Sequence, residues 1–186
     1  GLLGVTDFGY WQLYLLYAGF VGIFTFGFND GIYLRYGGKR ADELPWKKLR
    51  GAFWLYFITL CLISFVLLII LSNIDVSSEK AISFRYVIVS VGLTGVGSLY
   101  IFLFQTTNQI KKYSIYILID KMFFVLMLSL MYFYYSDYNF EYLMVIDCIS
   151  KLLLIAIMTI NCRDYIFGSM ASALVCWKEF YANIGV

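Results

Sequence analysis

The chain has 186 residues, of which 62% are hydrophobic, 20% aromatic and 14% charged, with a formal net charge of +2. A soluble domain carries about 25% charged residues, and here the apolar residues come in long blocks, so a water-soluble globular domain is excluded. There is no His, which removes histidine-based acid–base catalysis and most zinc sites.

The chain opens "GLLGVTDFGYWQLYL", with neither Met nor a signal-peptide pattern. The first block, Phe8 to Phe28, has no charged residue and approaches the ~20 residues a helix needs to cross the bilayer core. It predicts a span over about 8–34. This span closes on "FGFNDGIYLRYGGK", where Asn29 and Asp30 stand side by side one turn before Arg35. Asn29, Asp30 and Arg35 are candidates for a cavity mouth or gate, with Asp30–Arg35 as an expected pair. Gly27 and Gly31 form a GxxxG step that lets a neighbouring backbone approach.

Next comes "ADELPWKKLRGAFWLYF". Pro45 suits a first helical turn, Asp42 and Glu43 read as helix-start chemistry, and Trp46 and Trp54 suit the membrane interface. This helix is expected to begin on the membrane surface and continue as the span 51–72. The third span, 85–105, carries "SVGLTGVGS" with Gly92, Gly95 and Gly97. These suit tight packing, or bending during a conformational cycle.

The fourth span, 113–135, contains Asp120 and Lys121; the fifth, 139–161, contains Asp147 and Lys151 at helical i, i+4 spacing. At about 1.5 Å per residue, Asp120 and Lys151 fall at similar depths in antiparallel neighbours. An unpaired charge there costs about 2.5–3.5 kcal/mol. Two acids and two bases therefore predict a mutually neutralising intramembrane cluster facing the bundle interior. Two roles remain open: an ion-pair cluster that fixes helix rotation, or the lining of a polar cavity for a charged substrate or coupling ion. Beyond the bundle (1–161), the segment 162–186 places Ile166, Met170, Leu174, Trp177, Tyr181 and Ile184 at helical spacing. Ser169, Ser172, Glu179 and Asn183 lie largely on the other side. The pattern fits an amphipathic helix on the membrane surface, or a continuation packed against a following domain.

Short connections make neighbouring spans antiparallel, and Lys and Arg set their orientation. One set of ends holds Arg35, Lys39, Arg40, Lys47, Lys48, Arg50, Lys111, Lys112, Arg163 and Lys178; the other holds Lys80 and Arg85. The first set is expected in the cytoplasm. The opposite loops carry Asp75, Glu79, Asp137 and Glu141. Gly1 is then expected outside and Val186 inside, which predicts a fragment that lacks at least one earlier span. Cys61, Cys148, Cys162 and Cys176 have no metal-ligand spacing. No phosphate loop, nucleophile elbow or zinc motif is present, so neither an enzyme nor a cofactor or metal site is expected. The basic loops are explained by topology, not by nucleic acid.

The stretch "LLGVTDFGYWQLYLLYAGFVGIFTFGFNDGIYLRYGGK", together with "FLFQTTNQIKKYSIY" between the third and fourth spans, resembles bacterial oligosaccharide flippases. These are the O-antigen and capsule repeat-unit transporters of the polysaccharide transport family, within the multidrug/oligosaccharidyl-lipid/polysaccharide exporter superfamily. The resemblance covers nearly the whole chain, and its first stretch is the specific part. It implies an all-α polytopic bundle whose five spans are helices two to six of a first six-helix lobe, with 162–186 leading to a missing second lobe. It implies flipping of an undecaprenyl-diphosphate-linked oligosaccharide across the bacterial cytoplasmic membrane by alternating access. The implied partners are that lipid-linked substrate, the bilayer and the second lobe. It puts Asn29, Asp30 and Arg35 beside the transport cavity, and Lys121 and Lys151 on helices farther from it. A cation-coupled multidrug antiporter using Asp30 or Asp120, and a non-transporting membrane scaffold of a polysaccharide assembly complex, are the alternatives.

Overall fold

A computed structural model describes residues 3–134 and 139–184, with Tyr134 described by its backbone alone. Gly1, Val186, Asp137 and the expected end of the fourth span at Tyr135 lie outside the described residues. The chain is all-α, with no strand among the described residues. Four helices are long and apolar enough to cross a membrane: α3 (Trp46–Ser72), α4 (Ser78–Thr106), α5 (Ile110–Tyr134) and α6 (Phe140–Asn161). A fifth crossing is made if the bent pair α1 (Val5–Gly19) and α2 (Phe28–Tyr36) counts as one. This is a multi-pass membrane bundle. In lipid each backbone amide must be satisfied within its own segment, which is why such apolar runs form helices.

The first expected span is not one helix. After α1 the chain tightens into a 3-10 turn, Val21–Thr25, and then passes through left-handed backbone at Phe26 (φ 49°) and Gly27 (φ 70°). α2 leaves at 53° to the preceding segment. Gly27 adopts this conformation at little cost, whereas a bulky residue there costs about 1–3 kcal/mol. Phe26 therefore marks a bend that its surroundings hold in place.

α3 has 27 residues, about 40 Å at 1.5 Å per residue, against a hydrocarbon core of ~30 Å. Its excess length lies at the start, where Pro45 is the N-cap residue, one position before the first helical turn in which the sequence expects it. Just before it, the Glu43 carboxylate accepts from the Arg40 amide at 3.1 Å. Trp46 stacks on Tyr165 with ring centroids 4.4 Å apart and donates to the Ala41 carbonyl. It is thus a packing residue as much as an interfacial one.

α4 is the central helix. Half of its most apolar stretch is buried, against 11% for α3 and α5, and it touches α1, α2, α3, α5 and α6. Its glycine run does not interrupt the helix. Gly95 alone of the three is a tight approach: a Cβ there would meet Leu60 Cδ1 at 2.5 Å, whereas Gly92 faces open space and Gly97 makes an ordinary contact. Lipid tails are as apolar as Leu, so these helices are held by close packing and interhelical hydrogen bonds rather than by a hydrophobic drive. Tyr100 bonds Thr159 across α4–α6 at 2.7 Å, and Asn161 donates to Tyr116 across α6–α5 at 2.8 Å.

The chain ends in a short turn, α7 (Arg163–Ile166), and an 11-residue helix, α8 (Ala173–Asn183). α8 is packed against α3 and α2 of the bundle. Its polar side faces the bundle. Glu179 and Asn183 are buried, as are Cys176 and Phe180, while Met170, Leu174, Trp177 and Tyr181 are exposed. The polar pair turns inward because α2 presents partners for it, and the apolar stripe is left facing out.

Candidate functional site

Two polar nodes stand inside the bundle. The first joins α1, α4 and α6. Lys151 and Tyr14 both donate to Asp147 Oδ2. With its proton on Asp147, the Tyr14 oxygen accepts from Ser90 at 2.8 Å. The Lys151 ammonium also lies 5.9 Å from the Tyr14 ring centroid, within cation–π range. Tyr14 and Ser90 are fully buried; Asp147 and Lys151 keep 18% and 22% side-chain exposure. The i, i+4 spacing puts the two charges on one face of α6, and α1 supplies the hydroxyl that completes the node.

The predicted four-charge cluster is not formed. Asp120 pairs with its neighbour Lys121 at 2.9 Å, and Lys121 is 74% exposed. Sequence position along a helix does not fix its rotation. α5 turns Tyr116 and Ile119 towards α4 and α6, so Lys121 points away from the bundle while Lys151 points towards α1.

The second node joins α2 to α8. Glu179 Oε1 accepts from Tyr36 at 2.6 Å, from Arg35 at 3.3 Å and from the Asn183 amide at 3.2 Å. Gly31 makes the approach possible, since a Cβ there would come within 2.7 Å of the Asn183 Cα. The expected Asp30–Arg35 pair is absent. Asp30 is exposed and forms no ion pair or side-chain hydrogen bond among the described residues, because α2 rotates Arg35 towards α8. Asp30 sits in the first turn of α2, where a carboxylate complements the helix dipole.

Between the nodes lies Asn29, 2% exposed, donating to Ser98 of α4 at 2.8 Å. Its Oδ1 has no hydrogen-bond partner among the described residues, nor has Oδ1 of Asn183. Such an orphaned acceptor costs about 1–3 kcal/mol, so Asn29 marks a polar point left open at the bend of the first span.

Of the residues singled out in the sequence, Asp147 and Lys151 come together, as do Asp120 and Lys121. Asn29 is buried, and Asp30 and Arg35 separate. Tyr14, Ser90, Ser98 and Glu179 were not singled out as site residues. Tyr14 is one of 17 tyrosines and has no local signal. Glu179 could have been found as the one acid of α8, four residues before Asn183. No cluster of His, Cys, Asp and Glu suited to a metal is present among the described residues.

Comparison with protein-family models, with curated proteins and with solved structures gives no significant match. The functional reading therefore rests on the nodes, the broken first span and the sequence stretches themselves.

Proposed function

We propose that this chain is one lobe of a transporter that passes an undecaprenyl-diphosphate-linked oligosaccharide across the bacterial cytoplasmic membrane. The observation that carries a transport reading is the 53° break between α1 and α2, with the buried, half-satisfied Asn29 beside it. Discontinuous spans with polar groups at the break recur in transporters, where irregular backbone is tolerated because it lines a cavity. The choice of substrate rests on the resemblance of "LLGVTDFGYWQLY" and "GFNDGIYLRYGG" to oligosaccharide flippases. On this reading the basic ends are cytoplasmic, a second lobe completes the cavity, and the α2–α8 node couples the bent span to the connection between lobes.

A cation-coupled antiporter is the second reading. Asp147 favours it more than Asp30 or Asp120 does, because it is the carboxylate held inside the bundle by exchangeable donors. One experiment separates the two. The complete reading frame is expressed in a bacterium deleted for its own repeat-unit flippase, and surface polysaccharide and lipid-linked intermediates are measured. Restored polysaccharide, with loss of the accumulated intermediates, is the expected result. Cation-dependent drug efflux without restoration would overturn the flippase reading.

A further inference from the structure

A groove of about 240 Å³ opens between α3, α4 and α6. Its walls include Trp54, Phe57, Val96, Tyr100, Ile155 and Phe167, and its lining hydroxyls are already bonded: Tyr56 donates to the Gly95 carbonyl, and Tyr100 and Thr159 bond each other. It lies in the half of the spans next to the basic ends. Trp54, Phe57 and Phe167 are partly exposed at its rim, so it faces outward rather than into the bundle.

Arg50 stands at its mouth. On α3 it precedes Trp54 by one turn, on the same face. Its guanidinium lies against Gly168, next to the rim residue Phe167; a Cβ on Gly168 would come within 2.9 Å of the Arg50 Cζ. Gly168 has φ 128°, a conformation that favours glycine. Arg50 donates to the carbonyls of Asp164 and Ser169. These carbonyls orient the guanidinium without neutralising it. No carboxylate forms an ion pair with Arg50 among the described residues, although the Asp164 carbonyl accepts from it. A fixed cation thus sits at the polar end of an apolar groove.

We propose that this groove is a binding site for a bilayer phospholipid with an anionic headgroup, one acyl chain lying between α3 and α6 and the phosphate on Arg50. A phospholipid matches both halves of the site: an apolar chain for the aromatic walls, and phosphate oxygens for a planar guanidinium whose remaining N–H groups point away from the carbonyls. The basic ends put Arg50 at the headgroup level of the membrane. The site is independent of the transport reading and holds whichever substrate the protein carries.

The test is lipid retention. The purified protein is equilibrated with mixed micelles containing equal phosphatidylglycerol and phosphatidylcholine, and bound lipid is counted by native mass spectrometry. Wild type is expected to keep one phosphatidylglycerol in preference to phosphatidylcholine. Arg50→Gln should reduce that preference about tenfold, while Arg50→Lys keeps part of it. Val96→Phe, which fills the groove and leaves Arg50 in place, should lose the retained lipid of both kinds. Lys111→Gln/Lys112→Gln, which removes charge elsewhere at the same ends, should change nothing. Elution as a single species checks that each variant is folded. Equal retention by wild type and Val96→Phe would overturn the proposal. So would a loss in Lys111→Gln/Lys112→Gln as large as that in Arg50→Gln, since the lipid would then be a general annulus. Preferential retention of a polyprenyl phosphate over phosphatidylglycerol in a competition arm would overturn it in favour of a substrate site.

Discussion

Substitution of Lys151 by Met would leave the Asp147 carboxylate inside the bundle with the Tyr14 hydroxyl as its remaining donor. Removing one partner of a fully buried ion pair costs about 3–5 kcal/mol, while replacing both by apolar or neutral groups is often close to neutral. The two side chains keep 22% and 18% exposure, which reduces the expected cost to about 2–4 kcal/mol. For a chain of this size 1 kcal/mol shifts Tm by roughly 2–4 °C. Lys151→Met should therefore lower Tm by about 4–16 °C in detergent, read by scanning fluorimetry of the intrinsic tryptophans. The double variant Asp147→Asn/Lys151→Met should recover to within about 3 °C of wild type. Charge reversal gives the sharper contrast. Asp147→Lys/Lys151→Asp should restore part of the loss, because the two positions share one face of α6. Asp120→Lys/Lys151→Asp should restore none, because Asp120 pairs with Lys121. Rescue by the Asp120 combination, or a Lys151→Met variant as stable as the double neutral one, would refute the assignment of the pair.

Docking of α8 should depend on Gly31 and not on Gly22. A Cβ at Gly31 collides with the Asn183 backbone, whereas one at Gly22 meets nothing within 4 Å. Gly31→Ala should cost about 1–3 kcal/mol and raise protease cleavage between α7 and α8 several-fold; equal digestion of the two variants would count against the docked helix. At the second node, Glu179→Ala should destabilise by about 1–3 kcal/mol, because the Tyr36 hydroxyl and Asn183 amide lose a buried acceptor. Arg35→Gln, at a side chain 40% exposed, should cost no more than about 1 kcal/mol. Asp30→Asn should stay within about 0.5 kcal/mol of wild type. Thermal unfolding in detergent orders the three, and an Asp30→Asn loss as large as that of Glu179→Ala would contradict the geometry.

The sequence by itself determined the class of molecule, because span length and charge content are set by the bilayer and need no tertiary information. The start of α3 at Pro45 and the placement of Asp147 and Lys151 on one helix face were also legible, since both are local rules of helix geometry. Rotation was not. Lys121 faces outward while Lys151 lies against Tyr14. That choice is made by which side of α5 and of α6 packs against α4. The same holds for α8, whose amphipathic pattern did not show what its polar side meets. Only the bundle shows that Arg35, Tyr36 and the bare backbone at Gly31 make a better partner for Glu179 and Asn183 than lipid would. The break at Phe26–Gly27 falls between these extremes. Its glycine was visible, but the 53° bend also puts Phe26 in left-handed backbone, a conformation that no local rule assigns to a phenylalanine.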